Sequence, residues 1–159
     1  MATEKELRQA QNVYKIVCDT LDDMGWVYDK AEDELEIYTG AGGDDHTISI
    51  RICVEPQREL VTILSEIGVG DDQDSRVPVS IAVSLINDRL VDGSFDYNIS
   101  DAKMFYRITS SYKSSLLSKD VINYMILITC RTVDDFDGNL IRLSKGEMTF
   151  DEFVEFINK

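Results

Sequence analysis

Of two neighbouring stretches, TISIRICVE at residues 47–55 alternates apolar and polar side chains strictly, and LVTILSE at residues 60–66 continues the strand pattern. In the first, Ile48, Ile50, Ile52 and Val54 fall on one side, and Ser49, Arg51 and Cys53 on the other. Successive side chains of a β-strand point to opposite faces, so such a stretch predicts a strand buried on one face only. The connection between the two is short and polar, which suits an antiparallel meander. A sheet with one buried face needs apolar cover on that face, and the rest of the chain must supply it.

The cover is helical. Thr3 and Glu6 form a capping box, after which Leu7, Ala10, Tyr14, Val17 and Leu21 recur at helical spacing until Gly25 stops the run. Strand signals follow in WVYD at 26–29 and LEIY at 35–38, ahead of the alternating pair. The loop GVGDDQDSR then leads into a second helix, PVSIAVSLINDRLV, with Pro78 in its first turn. Two more strands carry Phe95, Tyr97 and Ile99, then Met104, Tyr106 and Ile108, with SDAK turning between them. Ser118 caps a third helix striped by Val121, Ile122, Met125, Cys130, Val133 and Phe136, which ends at Gly138 or at Gly146. Thr149 and Glu152 repeat the capping box before the last helix. The predicted order is α-β-β-β-β-α-β-β-α-α over residues 1–159, a single α+β domain with helices packed on an antiparallel sheet.

Composition narrows the partners. Thirty acidic against sixteen basic residues give a formal net charge of −14, which repels nucleic acid and anionic lipid. The longest apolar run, YMILITC at 124–130, is too short to span a bilayer, and the charged start MATEKELRQA carries no signal peptide. Cys18, Cys53 and Cys130 are far apart inside apolar-patterned segments, so they are expected to be free buried thiols in a reducing, cytoplasmic setting.

Candidate chemistry dissolves on inspection. DGNLIRLSKGEMTFDEF at 137–153 has the look of a calcium loop entering a helix. Calcium takes about six to eight oxygen ligands from alternating loop positions. With Gly146 as the sixth residue those positions hold Ile141, Leu143 and Lys145; with Gly138 sixth, Val133 comes first and Ser144 last. Neither register completes a ligand set, and no metal or other cofactor is expected. GVGDDQ at 68–73 lacks the third glycine of a dinucleotide loop, and Asp71 and Asp72 would oppose a pyrophosphate. His46, the only histidine, lies beside Asp44 and Asp45 in a glycine-rich connection and is read as a solvated loop residue. TSSYKSS at 109–115 reads as a strand-to-helix connection rich in capping hydroxyls. The acidic clusters, including Asp134, Asp135 and Asp137, read as solvated surface and helix ends. No catalytic residue is assigned, and the chain is not expected to be an enzyme.

The segment from 86 to 126 does carry a pattern. A helix ends in Asn87, Arg89 and Leu90; Gly93, Phe95 and Tyr97 follow; a turn comes at Asp101; then Phe105 with Arg107, and Leu117 and Ser118 opening an apolar helix. This resembles the YbjN-like family, described as candidate bacterial sensory transduction regulators. Ala102 departs from the Asp-Gly common in such hairpins, and a primed turn disfavours alanine there. The resemblance implies a fold similar to type III secretion chaperones: a twisted antiparallel sheet with helices on one side, commonly dimeric, binding extended segments of partner proteins, with no catalytic residues.

The second helix adds an expectation of its own. Val79, Ala82, Val83, Ile86 and Leu90 form one stripe that should cover the sheet, while Ile81 and Leu85 lie on a different face. A helix apolar on two faces is usually buried on both, so Ile81 and Leu85 are the expected protein interface. Either another helix of the chain covers them or a second copy does across a two-fold axis. Two functions fit: a non-enzymatic interaction or regulatory module acting as a homodimer on a protein partner, or a dedicated chaperone for an exported protein.

Overall fold

The computed structural model describes residues 1–115 and 117–159. Helix α1 spans Glu4–Asp23 and opens on the predicted capping box, Thr3 and Glu6 each accepting the other's backbone N–H. It closes on Gly25 at φ +70°, which lets Gly25 N–H reach Asp22 O and Trp26 N–H reach Leu21 O. Strands β1 (Asp29–Ala31), β2 (Glu36–Gly42), β3 (Thr47–Glu55) and β4 (Leu60–Ile67) follow as a meander. Then come α2 (Arg76–Asn87), β5 (Ser94–Asn98), β6 (Lys103–Ser111), α3 (Lys119–Ser144) and α4 (Phe150–Ile157). Apart from two short 3-10 turns, this is the predicted order.

All strand pairs are antiparallel, in the order β1-β2-β3-β4-β6-β5. The register sets Ile37, Ile52, Ile63 and Ile108 side by side across four strands, all buried. Branched side chains in adjacent registers pack well on a pleated surface, and this row anchors the core. Helices α1 and α3 lie on that face, α2 packs on β5, and α4 is held by α2 and α3. The opposite face, with Arg51, Leu64, Phe105, Arg107 and Thr109, is half-buried or exposed.

Several elements differ from the sequence reading, each for a local reason. WVYD is not a strand. Trp26 and Tyr28 pack against the core instead, and the Tyr28 hydroxyl donates to Asp22 Oδ1 at 2.9 Å, so pairing starts only at Asp29. Leu35 adopts φ +54° after the turn at Glu32–Glu34; β2 therefore begins at Glu36 and runs on through Thr39, Gly40, Ala41 and Gly42. Gly40 is needed there, because a Cβ would lie 2.9 Å from Ile48 O. Helix α2 starts two residues before Pro78 and ends at Asn87, leaving Leu90 to reach the core from a loop. Helix α3 passes through Gly138 and ends at Ser144, just before Gly146, whose φ of +71° closes the same kind of turn as Gly25. Gly138 leaves room for the Asp45 carboxylate, which packs where a Cβ would stand. The β5–β6 turn is four residues, Ile99–Ala102, with Ala102 itself at φ +53°. The hairpin thus avoids the two-residue primed turn that alanine disfavours.

Candidate functional site

Helix α2 is gripped at both ends. Arg76 at its start pairs with Asp71, and its Nη1 donates to Ile99 O at 3.0 Å and Ser100 O at 2.8 Å, tying the helix to the β5–β6 turn. At its end the Asn87 side chain donates to Phe95 O at 2.9 Å and accepts from Phe95 N–H at 2.8 Å, joining helix to strand. Just beyond, Arg89 Nη2 donates to Asn158 Oδ1 at 2.9 Å, holding the end of α4. The stripe predicted to face inward does so: Val79, Ala82, Val83 and Ile86 are all buried.

The other face looks outward. Ile81 is 47% exposed and Leu85 is half-buried; among the described residues no helix closes over Ile81. Val77, one turn earlier and 59% exposed, extends the pair into a stripe at spacing four. The sequence reading missed Val77 because it started the helix at Pro78, although 77, 81 and 85 share one spacing. The contacts at both ends of the helix fix the direction in which this stripe faces.

The remaining candidates have other surroundings. Asp137, expected on the solvated surface, is 3% exposed inside α3, and its Oδ1 has no hydrogen-bond partner. The expectation fails because α3 carries the β2–β3 connection on its flank: Asp134 Oδ1 accepts from Asp44 N–H at 2.6 Å. Burial pushes the Asp137 carboxyl above its ordinary range; the Gly138 N–H and His46 draw it back, and Asp134 and Asp45 push it further up. His46 itself is exposed, as expected of a loop residue. Among the described residues no three carboxylate, thiol or imidazole groups are placed to share a metal ion. The supposed calcium loop is the end of α3, the turn at Gly146 and the start of α4, where Thr149 and Glu152 cap each other. The three cysteines are free; Cys18 is buried, but Cys53 and Cys130 are only half-buried. Desolvation raises all three thiols, the opposite of what an attacking thiolate requires. Within TSSYKSS, Thr109–Ser111 belong to β6 and Tyr112 is buried, its hydroxyl donating to Glu55 O at 2.9 Å.

No protein-family model matches the sequence, and no curated protein matches it. The architecture does have counterparts. YbjN from E. coli, a candidate transcription regulator, superposes with a TM-score of 0.58 at 10% identity, over 84% of this chain and 92% of that one. A chain of the HopA1–SchA chaperone–effector complex gives 0.52 at 12% identity, over 79% and 95%. The ExsC–ExsE complex gives 0.51 at 11%, over 79% and 93%. The fold is type III secretion chaperone-like. At such identities the likeness concerns the path of the backbone, and the chaperone-like fold here carries α2 with its outer stripe uncovered. No helix among the described residues is long and apolar enough to cross a membrane.

Proposed function

We propose that this chain is a non-enzymatic protein-binding module that acts as a homodimer joined through the outer face of α2. The observation that carries the proposal is the Val77–Ile81–Leu85 stripe on a helix whose other stripe is already buried in the core. A two-fold axis across that face sets each stripe against its own copy, a self-complementary contact that removes the exposed branched side chains from water. The protein-binding part of the reading draws support from the fold, which is also found in a chaperone–effector complex. With a formal charge of −14 the partner is a basic or neutral protein segment rather than nucleic acid or a membrane surface. The module works in a reducing, cytoplasmic compartment, as a regulator of a protein partner.

The test is Ile81→Glu with Leu85→Glu. Carboxylates would face each other across the axis without water, so light scattering should find a folded monomer for the variant and a dimer for the parent. A parent that is monomeric at high micromolar concentration sinks the dimer. A variant that unfolds assigns the stripe to the core of one chain. The second reading, a dedicated chaperone for an exported protein, is favoured by the same chaperone–effector likeness. It requires the bound partner segment to stay extended and protease-sensitive outside its footprint.

A further inference from the structure

Strand β6 is longer than its neighbour. It pairs with β5 from Lys103↔Asn98 to Arg107↔Ser94, whereas its pairing with β4 continues through Ile108↔Ile63 to Ser111↔Leu60. Among the described residues no strand lies beside Ile108–Ser111 on the β5 side. The notch is built in. Gly93 at φ +68° turns the chain away from β6, and the Tyr106 hydroxyl holds that turn by donating to Asp92 O at 2.9 Å. A Cβ at 93 would run into the Tyr106 ring and lie 2.8 Å from Arg107 O, so only glycine ends β5 here.

In a strand, alternate residues aim their N–H and C=O groups at each neighbour, so half of Ile108–Ser111 offers unpaired donors and acceptors at the notch. Proteins blunt such edges with charge, proline or a bulge. Ile108, Thr109, Ser110 and Ser111 have none of these side chains and are regularly paired with β4. A groove of about 500 Å³ runs along this edge, walled by Val91, Val121 and Tyr124. Val91 is 96% exposed and Tyr124 52% exposed, so apolar side chains stand open to water in a groove also lined by Asp92, Ser94, Arg107, Thr109 and Ser110. Of its charged groups, Arg107 is neutralised by Asp96 at 2.7 Å. Asp92 is left as the free charge, its Oδ2 accepting from the Tyr124 hydroxyl at 2.5 Å. A second copy would bring its own Asp92 and its own charge of −14 to the same place. A basic segment would not.

We propose that the β6 notch takes an extended segment of a partner protein as a short added strand, apolar at alternating positions and basic where it passes Asp92. Side chains on one face of that strand meet Val121 and Tyr124, and those on the other face stay in water. This rests on the protein-binding reading above and adds where, and in what conformation, the partner lies.

The experiment uses the full chain and synthetic peptides about seven residues long, ample for the open edge at ~3.3 Å per residue. One set alternates valine or isoleucine with threonine and lysine; a second has glutamate for lysine; a third is the first with alternate amides N-methylated. With the lysine set, the notch-facing amides of Ile108–Ser111 should exchange with solvent about tenfold more slowly or better. The glutamate set should bind about tenfold more weakly, and the methylated set not at all. Val91→Glu with Val121→Glu, both at exposed positions, should keep the circular dichroism of the parent and lose the protection. Protection confined to another edge, or no peptide binding, overturns the inference. So does finding these amides already protected in the free protein within an oligomer that the Val91→Glu, Val121→Glu variant breaks, since a second copy then fills the notch. Neither result bears on α2, whose dimer is read separately from the Ile81→Glu, Leu85→Glu variant.

Discussion

Asp137 holds a carboxyl in the interior of α3 with one oxygen unpartnered, and that arrangement has a definite signature in pH. Its folded pKa lies above the ordinary value because burial penalises the charged form. The folded state therefore binds this proton more tightly than the unfolded chain. The cost is absent below the unfolded pKa and grows as pH rises through the folded one. Asp137→Asn, which removes the charge, should raise the urea midpoint at neutral pH. The gain should shrink to nothing below about pH 3.5, where the parent is protonated in both states. A gain that is constant across pH would trace to packing instead. Gly93 and Gly25 make a second contrast. Both sit near φ +70°, but a Cβ at Gly25 meets nothing within 4 Å while one at Gly93 meets Tyr106 and Arg107 O. Gly25→Ala should cost about 1 kcal/mol and Gly93→Ala about 2 kcal/mol or more. Equal costs by chemical denaturation would mean that Tyr106 moves aside.

Helix α4 is eight residues long, too short to be stable by itself, and depends on its cap and its aromatic contacts. Phe153 and Phe156 continue an edge-on series through Phe136 to Phe95, linking α4 to α3 and β5. Thr149→Ala should destabilise the protein by about 1 kcal/mol, seen as a lower denaturation midpoint; an unchanged midpoint would show that the cap is idle. Such caps were legible because they are local: a hydroxyl and a glutamate three residues apart, followed by an apolar run. The alternation in β3 was legible for the same reason, and its bounds, 47–55, were read correctly. What escaped was decided elsewhere in the chain. Glycines 40 and 42 look like breakers until β3 pairs with them, and Trp26–Asp29 looks like a strand until α1 draws its aromatics inward. Asp137 is one acid among several in sequence; only the β2–β3 connection lying along α3 distinguishes it. Ile81 was correctly placed off the core stripe, but Val77 belongs with it only once the true start of α2 is known.

The whole molecule carries its charge unevenly matched, and that sets how copies meet. Two chains of −14 repel, and the Debye length is ~10 Å at 0.1 M salt. The proposed α2 contact is apolar, so added salt should screen the repulsion without weakening the contact. Sedimentation should find tighter self-association at high ionic strength; looser association would point to ion pairs across the interface. The long α3 has a further consequence, in time rather than in space. At 26 residues it touches α1, α2 and strands β3, β4 and β6, yet it follows all of them in the chain. The central strand β4 likewise waits for β6, since Leu60 pairs with Ser111. Until α3 has been made, the face bearing the isoleucine row has α1 over it but lacks the cover that α3 gives to β3, β4 and β6. Chains stalled before residue 119 should be digested readily by protease, and resistance should appear only once α3 has emerged. Folding of this domain thus waits for α3, and a chain cut short before residue 119 exposes the apolar face that α3 would have covered.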